Sequence, residues 1–235
     1  MLSAPFWGIL TVQFVLLAQQ PSSELPSFCK DVKEIAAPGA PGQVAVFGPK
    51  AFPIIGGKVQ RQLYAPVAAG ASLGKGRIVA LAHTGYLSAE SSAVGQTRQF
   101  LINGIQWASQ GKNQDKKVRL GNFGSQLKDD LIKAGLEIVS LNGKTWTKQL
   151  SSCDVVFLAM GNYSAREVDA VAQFVEAGGG LITVETPWGW LQLHPGKSLQ
   201  DHPAQSFLTK AGLAWADGTV DRTTAKGFAT QTPLL

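Results

Sequence analysis

The chain has few of the residues that usually carry chemistry. It holds two cysteines and three histidines among 235 residues. The metallopeptidase pattern HExxH occurs nowhere in it. His194 and His202 flank a Pro/Gly loop, HPGKSLQDH, whose spacing has no metal-binding character. No metal and no cofactor is therefore expected. Charge is sparse too, at 16% of residues. The densest basic stretch, KNQDKK (112–117), is diluted by amides and an acid and lacks stacking aromatics. It reads as a solvated loop, and nucleic acid is not an expected partner. Nor does any apolar run span a bilayer comfortably.

One apolar run does stand out. PFWGILTVQFVLLA (5–18) has the length of a signal-peptide core, and the polar break QQPSSELPS follows it. No Lys or Arg precedes it, and the small-residue cleavage pattern is incomplete, so an uncleaved anchor stays open as the alternative. Contact with a membrane is expected only through such an uncleaved segment. Residues 1–20 are read as the signal segment and 21–39 as a linker. The folded domain is expected over 40–222, with a tail at 223–235. The expected location is secreted or periplasmic. In an oxidising compartment Cys29 and Cys153 would be able to pair. Two free thiols, with Cys153 buried at the start of a strand, is the other reading.

What is present is an alternation of apolar segments and glycine stops. QVAVFG (43–48) and AFPIIGG (51–57) read as strands. QLYAPVAAGAS (62–72) and GRIVALAH (76–83) flank LGKG and predict a hairpin. A helix is expected over 92–109. From there KVRLGNF (117–123), LEIVSL (136–141), DVVFLAM (154–160) and LITVE (181–185) read as strands. SQLKDDLIKAG (125–135), KTWTKQLSSC (144–153) and SAREVDAVAQFVEAGGG read as helices between them. Ser164 and Glu167 have capping-box spacing, and Gly178 is the stop. This β-α repeat predicts an α/β fold with a doubly wound parallel sheet and right-handed crossovers.

The segments VFGPKAFPII, GKGRIVALAHTGYL, QFLINGIQW and DVVFLAMGNYS…VAQFVEAGGGLITVETPWGW resemble one family in order and spacing. It is the class I glutamine-amidotransferase-like domain found ahead of the catalytic domain in enhancin-like metallopeptidases (peptidase family M-60). The same domain occurs in vertebrate channel-associated factors that bind a cold-sensing cation channel. The resemblance runs from about residue 40 to about 220. It implies a flavodoxin-like sheet, here with an N-terminal β-hairpin extension, and a site at the carboxyl ends of the strands. It also implies a stand-alone or truncated relative of those peptidases.

Active amidotransferase-like members use a cysteine at a strand-to-helix elbow with a histidine as base. Here the turn after LITVE reads Thr186-Pro187-Trp188, and Cys153 precedes its strand at the far edge of the sheet. Ser164, after DVVFLAM, reads as an N-cap. The elbow is present without a nucleophile, as in a pseudoenzyme, so no catalytic residue is assigned. His83 ends its strand either facing the cleft or capping the turn that follows. Trp188 and Trp190, with Tyr86, would line an aromatic platform with Glu185 as the nearest acid. The plainer alternative packs one indole under the loop and the other at the sheet edge. The expected function is a secreted, non-catalytic module that binds a glycan, peptide or protein partner. A divergent hydrolase built on His83 and Glu185, or an interaction module like the channel-associated factors, are the alternatives.

If the first segment is a signal peptide, mass spectrometry of the exported protein will show a new amino terminus within residues 19–24. An intact Met1 on a soluble cytosolic protein would contradict it.

Overall fold

The computed structural model describes residues 25–110, 117–122 and 127–231. The expected signal segment lies outside them, as do most of the KNQDKK loop and the end of the tail. In chain order the elements are α1 (Leu25–Phe28), β1 (Glu34–Ala36), β2 (Gln43–Val46), β3 (Ala51–Gln60), β4 (Leu63–Leu73), β5 (Gly76–Leu81), α2 (Ala89–Ser92) and α3 (Thr97–Ala108). They continue with β6 (Arg119–Asn122), α4 (Lys128–Lys133), β7 (Glu137–Ser140), β8 (Val155–Ala159), α5 (Ala165–Glu176) and β9 (Gly180–Val184). The last are α6 (Pro187–Leu193), α7 (Gln205–Lys210), β10 (Leu213–Ala216) and β11 (Gly227–Ala229).

Among the described residues, seven strands form a central sheet in the order β3-β4-β5-β9-β8-β6-β7. The five from β5 to β7 are parallel, and β3 and β4 add antiparallel to the β5 edge. The sheet is thus mixed and mostly parallel. The expected hairpin extends it through β4, and β3 adds one strand more. Gly74 takes the turn of β4–β5 at φ 59°, a conformation that costs glycine nothing.

Local sequence explains the elements. β8 (VVFLA) and β9 (GLITV) are apolar almost throughout because helices cover both faces. α5 starts on the expected capping box: Ser164 Oγ accepts from Glu167 N, and the Glu167 carboxylate accepts from Ser164 N. Its buried stripe is Val168, Val171 and Val175, and Gly178 stops it at φ 113°. The Trp146 indole N–H donates to the same carboxylate at 2.7 Å. The Ser164 hydroxyl and this indole hold the Glu167 carboxyl below its usual range.

Two apolar layers result. One contains Phe28, Phe52, Phe100, Ile105 and Trp107 with α3 and α4 packed on the sheet. The other contains Trp146, Val171, Val175, Phe207 and Trp215 beneath α5 and α7. Cys29 packs against the first layer and Cys153 lies in the second. Both are free thiols, so the disulfide does not form in this structure. Burial pushes the Cys153 thiol up to about 11, which leaves it a poor nucleophile.

The described parts of the stretches read as linker and tail, residues 25–39 and 223–231, are structural. β1 pairs antiparallel with β11, and Phe28, Ile35 and Phe228 are completely buried. Gly227 lies so close to Ile35 that a Cβ on it would fall 1.9 Å from the Ile35 carbonyl oxygen. The pairing joins residues almost two hundred apart in sequence, and three-residue strands leave little pattern to read.

Candidate functional site

The parallel strands present their carboxyl ends to one rim, where open α/β sheets bind ligands. Three segments meet there: residues 83–86 after β5, 161–164 after β8 and 185–190 after β9. β9 runs through Glu185 and Thr186 into α6, whose first residue is Pro187. Proline suits this position because its missing N–H would have no intrahelical partner. The sharp strand-to-helix turn is the expected elbow, and it carries no thiol or serine.

Glu185 follows a completely buried, mostly apolar strand and is itself buried, with 6% exposure. A carboxylate there requires partners. Its Oε1 accepts from Thr186 N at 2.8 Å, and its Oε2 lies 2.9 Å from His202 Nε2. His202 is 2% exposed, and its Nδ1 accepts from Ala204 N at 3.1 Å. An Nδ1 that accepts puts the proton of a neutral ring on Nε2, so His202 donates to Glu185. Gly161 makes room for this pair, since a Cβ on it would lie 2.5 Å from Glu185 Oε2.

Trp190 closes the same cluster. It is 6% exposed, stacks on His194 with ring centres 4.1 Å apart, and meets His202 edge-on at 5.1 Å. Its indole N–H donates to Gly161 O at 2.9 Å. Tyr86 is completely buried in the opposite layer, and its hydroxyl donates to Ala36 O at 2.9 Å. Burial raises the Tyr86 phenol far above the usual tyrosine range, so it stays neutral. The three-ring platform is therefore not formed. Tyr86 and Trp190 are core residues, because each polar tip finds a carbonyl inside the fold.

His83 and Trp188 remain at the surface, both half-buried. His83 caps the 3-10 turn Thr84–Leu87: its Nδ1 accepts from Gly85 N at 2.8 Å. Burial lowers the pKa of its ring below the usual histidine value. The imidazole is thus neutral at pH 7, with its proton on Nε2. The Trp188 indole N–H donates to Ala40 O at 2.8 Å. Thr84 and Thr186 join the two segments: Thr84 N donates to Thr186 Oγ1 at 3.1 Å, and the two hydroxyls lie 3.2 Å apart.

A strap crosses this rim. The sequence Pro38-Gly39-Ala40-Pro41-Gly42, which straddles the expected boundary between linker and domain at residues 39 and 40, lies directly over the elbow. Gly39 has φ 52°, and a Cβ on it would fall 2.9 Å from His83 Nε2. Gly42 donates its N–H to Ala82 O at 2.8 Å, and a Cβ there would fall 2.7 Å from Pro187 Cδ. Pro41 O accepts from Val220 N at 3.0 Å. The glycines are needed because imidazole and proline ring occupy the space their side chains would fill.

The structure thus brings His83, Trp188, Thr84 and Thr186 together beneath the strap. It separates Glu185 and Trp190 from solvent and places Tyr86 on the other face. Thr84, Thr186 and His202 were missed in the sequence. The one available signal was the acid of LITVE, which needs a buried partner. Among the described residues no cluster of three or more His, Cys, Asp and Glu side chains is arranged to hold a metal ion.

The family model described as "TRPM8, N-terminal domain" matches residues 9–230. "TRPM8 channel-associated factor 2" of Bos taurus is 33% identical over 189 residues, which are 80% of this chain and 19% of that protein. "TRPM8 channel-associated factor homolog" of Danio rerio is 29% identical over 182 residues, 76% of this chain and 18% of that one. The chain therefore spans about a fifth of the length of the curated relatives it matches. Among solved structures, IMPa from Pseudomonas aeruginosa in complex with an O-glycopeptide superposes with a TM-score of 0.58 at 16% identity. That match covers 89% of this chain and 23% of the other. A second structure, the IMPa metallopeptidase, gives 0.57 at 18% identity, over 82% and 21% of the two chains. These structural matches establish a shared fold.

The two neighbouring indoles are expected to respond differently to truncation. Trp190→Ala should cost about 3–5 kcal/mol in urea unfolding, as for other buried tryptophans. Trp188→Ala should cost about 1 kcal/mol, the worth of its hydrogen bond. Equal losses would contradict the division into a core ring and a surface ring.

Proposed function

This chain belongs to the TRPM8 channel-associated factor N-terminal domain family, and we propose that it is a binding module without catalysis of its own. The observation that carries this reading is the state of the elbow. Its acid is engaged by His202 and Thr186 N, and its neighbouring histidine is spent on capping a turn. No thiol or serine stands at the turn, and the Thr186 hydroxyl accepts from Thr84 N. A hydrolase built on His83 and Glu185 would need both groups directed at one substrate atom. Glu185 is instead turned inward to a completely enclosed imidazole.

The partner in this reading is a protein segment, in keeping with the names of the channel-associated relatives. The O-glycopeptide in the IMPa complex favours a glycosylated one. The binding surface is the half-exposed face of Trp188 with the Thr84 and Thr186 hydroxyls and the strap beside it. An indole face stacks on sugar rings or apolar side chains, and hydroxyls fix orientation.

An amidotransferase-like, flavodoxin-like origin belongs to the same proposal. It is supported by the strand order β7-β6-β8-β9, which reads 2-1-3-4, with β5 in the fifth place although it precedes the others in sequence. Secretion, with loss of the first twenty residues, is also part of it. The family match begins at residue 9, inside the apolar run. An uncleaved amino terminus would assign that run to the domain itself.

The test is titration of the full chain with an O-glycosylated peptide and with the same peptide lacking sugar, beside glutaminase and peptidase assays. Binding should weaken by about 1–3 kcal/mol in Trp188→Ala, as at an aromatic hot spot, with unfolding stability lowered by only about 1 kcal/mol and no turnover detected. Turnover that disappears in His83→Ala would overturn the proposal.

A further inference from the structure

The β3–β4 hairpin rises above the rim. β4 runs antiparallel to β5, and its register places Ala68 opposite Leu81, the last residue of β5. Val67 O still accepts from Ala82 N, and Leu63 to Pro66 extend past that pairing, on the side where the parallel strands end. At about 3.3 Å per residue this arm is roughly 13 Å long. Its base is covered. Lys58 and Asp221 exchange backbone hydrogen bonds, and Gly57 packs so tightly on Val220 that a Cβ there would fall 2.3 Å from Val220 Cγ2. From Val59 to Leu63 every residue is exposed.

The tip carries apolar surface where solvent exposure disfavours it. Val59 is 40% exposed and Leu63 57%. Between them lie Gln60, Arg61 and Gln62, with Lys58 and Tyr64 half-buried on either side. The charge is one-sided. From Ile35 to Ala89 the chain has no Asp or Glu, while Lys50, Lys58, Arg61, Lys75 and Arg77 are cationic. Asp221 is the carboxylate on the segment paired with Lys58, and Arg222 follows it.

We propose that the tip Val59–Leu63 docks on an anionic phospholipid surface, with Val59 and Leu63 entering the headgroup boundary and Lys58 and Arg61 facing lipid phosphates. Shape and charge both favour this occupant. A stable protein interface buries about 800 Å² per partner over some 20–30 residues, and a convex tip of five exposed residues offers far less. A bilayer requires no matching shape. It also suits aliphatic side chains flanked by cations and a tyrosine, whose stems and ring lie in the interface with their polar ends in water. Each cation near an anionic surface strengthens attachment about fivefold. The attachment is reversible and falls with salt. It is independent of the Trp188 surface and of the apolar run at 5–18.

The full chain would be mixed with phosphatidylcholine vesicles, with and without phosphatidylglycerol, and followed by cosedimentation and by hydrogen exchange. Phosphatidylglycerol should slow amide exchange in residues 56–66 and increase sedimentation. Arg61→Glu should weaken attachment about tenfold or more, since it removes one attraction and adds one repulsion. The pair Val59→Ser with Leu63→Ser should abolish the protection of the tip. Unfolding should be nearly unchanged, because these side chains are already exposed. Exchange at 56–66 unaltered by either vesicle would overturn the proposal and leave the tip to a protein partner. Sedimentation equal in wild type and both variants would overturn it as well, by assigning the contact to another part of the chain.

Discussion

A carboxylate at the end of a buried strand is stable inside a protein only if its charge is met by hydrogen-bond donors. Glu185 is in that position. Thr186 N meets one of its oxygens and His202 Nε2 the other. The second contact reaches across the whole excursion from α6 through the 3-10 turn at Leu199–Asp201, and so draws that excursion onto the sheet. Trp190 then fills the space between His202, His194 and Gly161. With the indole fixed, α6 can leave the strand in only one direction, and Trp188 is delivered to the strap. The surface at the rim depends on a pair of side chains that never reaches it.

This arrangement reverses the logic of an enzymatic elbow. Covalent catalysis at such an elbow needs a nucleophile and a base within hydrogen-bond reach of each other, with some of their hydrogen bonds left for substrate. Here the same architecture spends those bonds internally. Glu185 is enclosed, His83 holds a turn, and the strap lies where substrate would approach. The rim keeps an indole face and hydroxyls, groups suited to the proposed binding role. Rigidity is an advantage in that role, because a preorganised surface loses little entropy on binding.

Much of the fold was legible because its signals are local. The strands β6 to β9 and helix α5 follow from apolar runs, a capping box and a glycine stop, and each lies within a few residues of its expected bounds. The β4–β5 turn follows from Gly74. The role of His83 as a turn cap was open to reading from the His-Thr-Gly sequence after a strand. Sheet order, the β1–β11 pairing and the strap were not legible, since each depends on contacts between distant residues. Pro-Gly-Ala-Pro-Gly falls across the expected linker boundary, and its role as a strap depends on the imidazole and proline beneath it. The fate of the two indoles differed for the same reason. Trp190 is core because His194 and His202 flank it, and nothing next to it in sequence announces that.

The most direct measurement on the central claim is a double-mutant cycle on Glu185→Ala and His202→Ala, read by urea unfolding at pH 7. The account predicts that removing either partner strands the other, so the double variant loses less stability than the sum of the singles by about 1–3 kcal/mol. Strict additivity of the two losses would contradict it, by showing that Glu185 does not depend on His202.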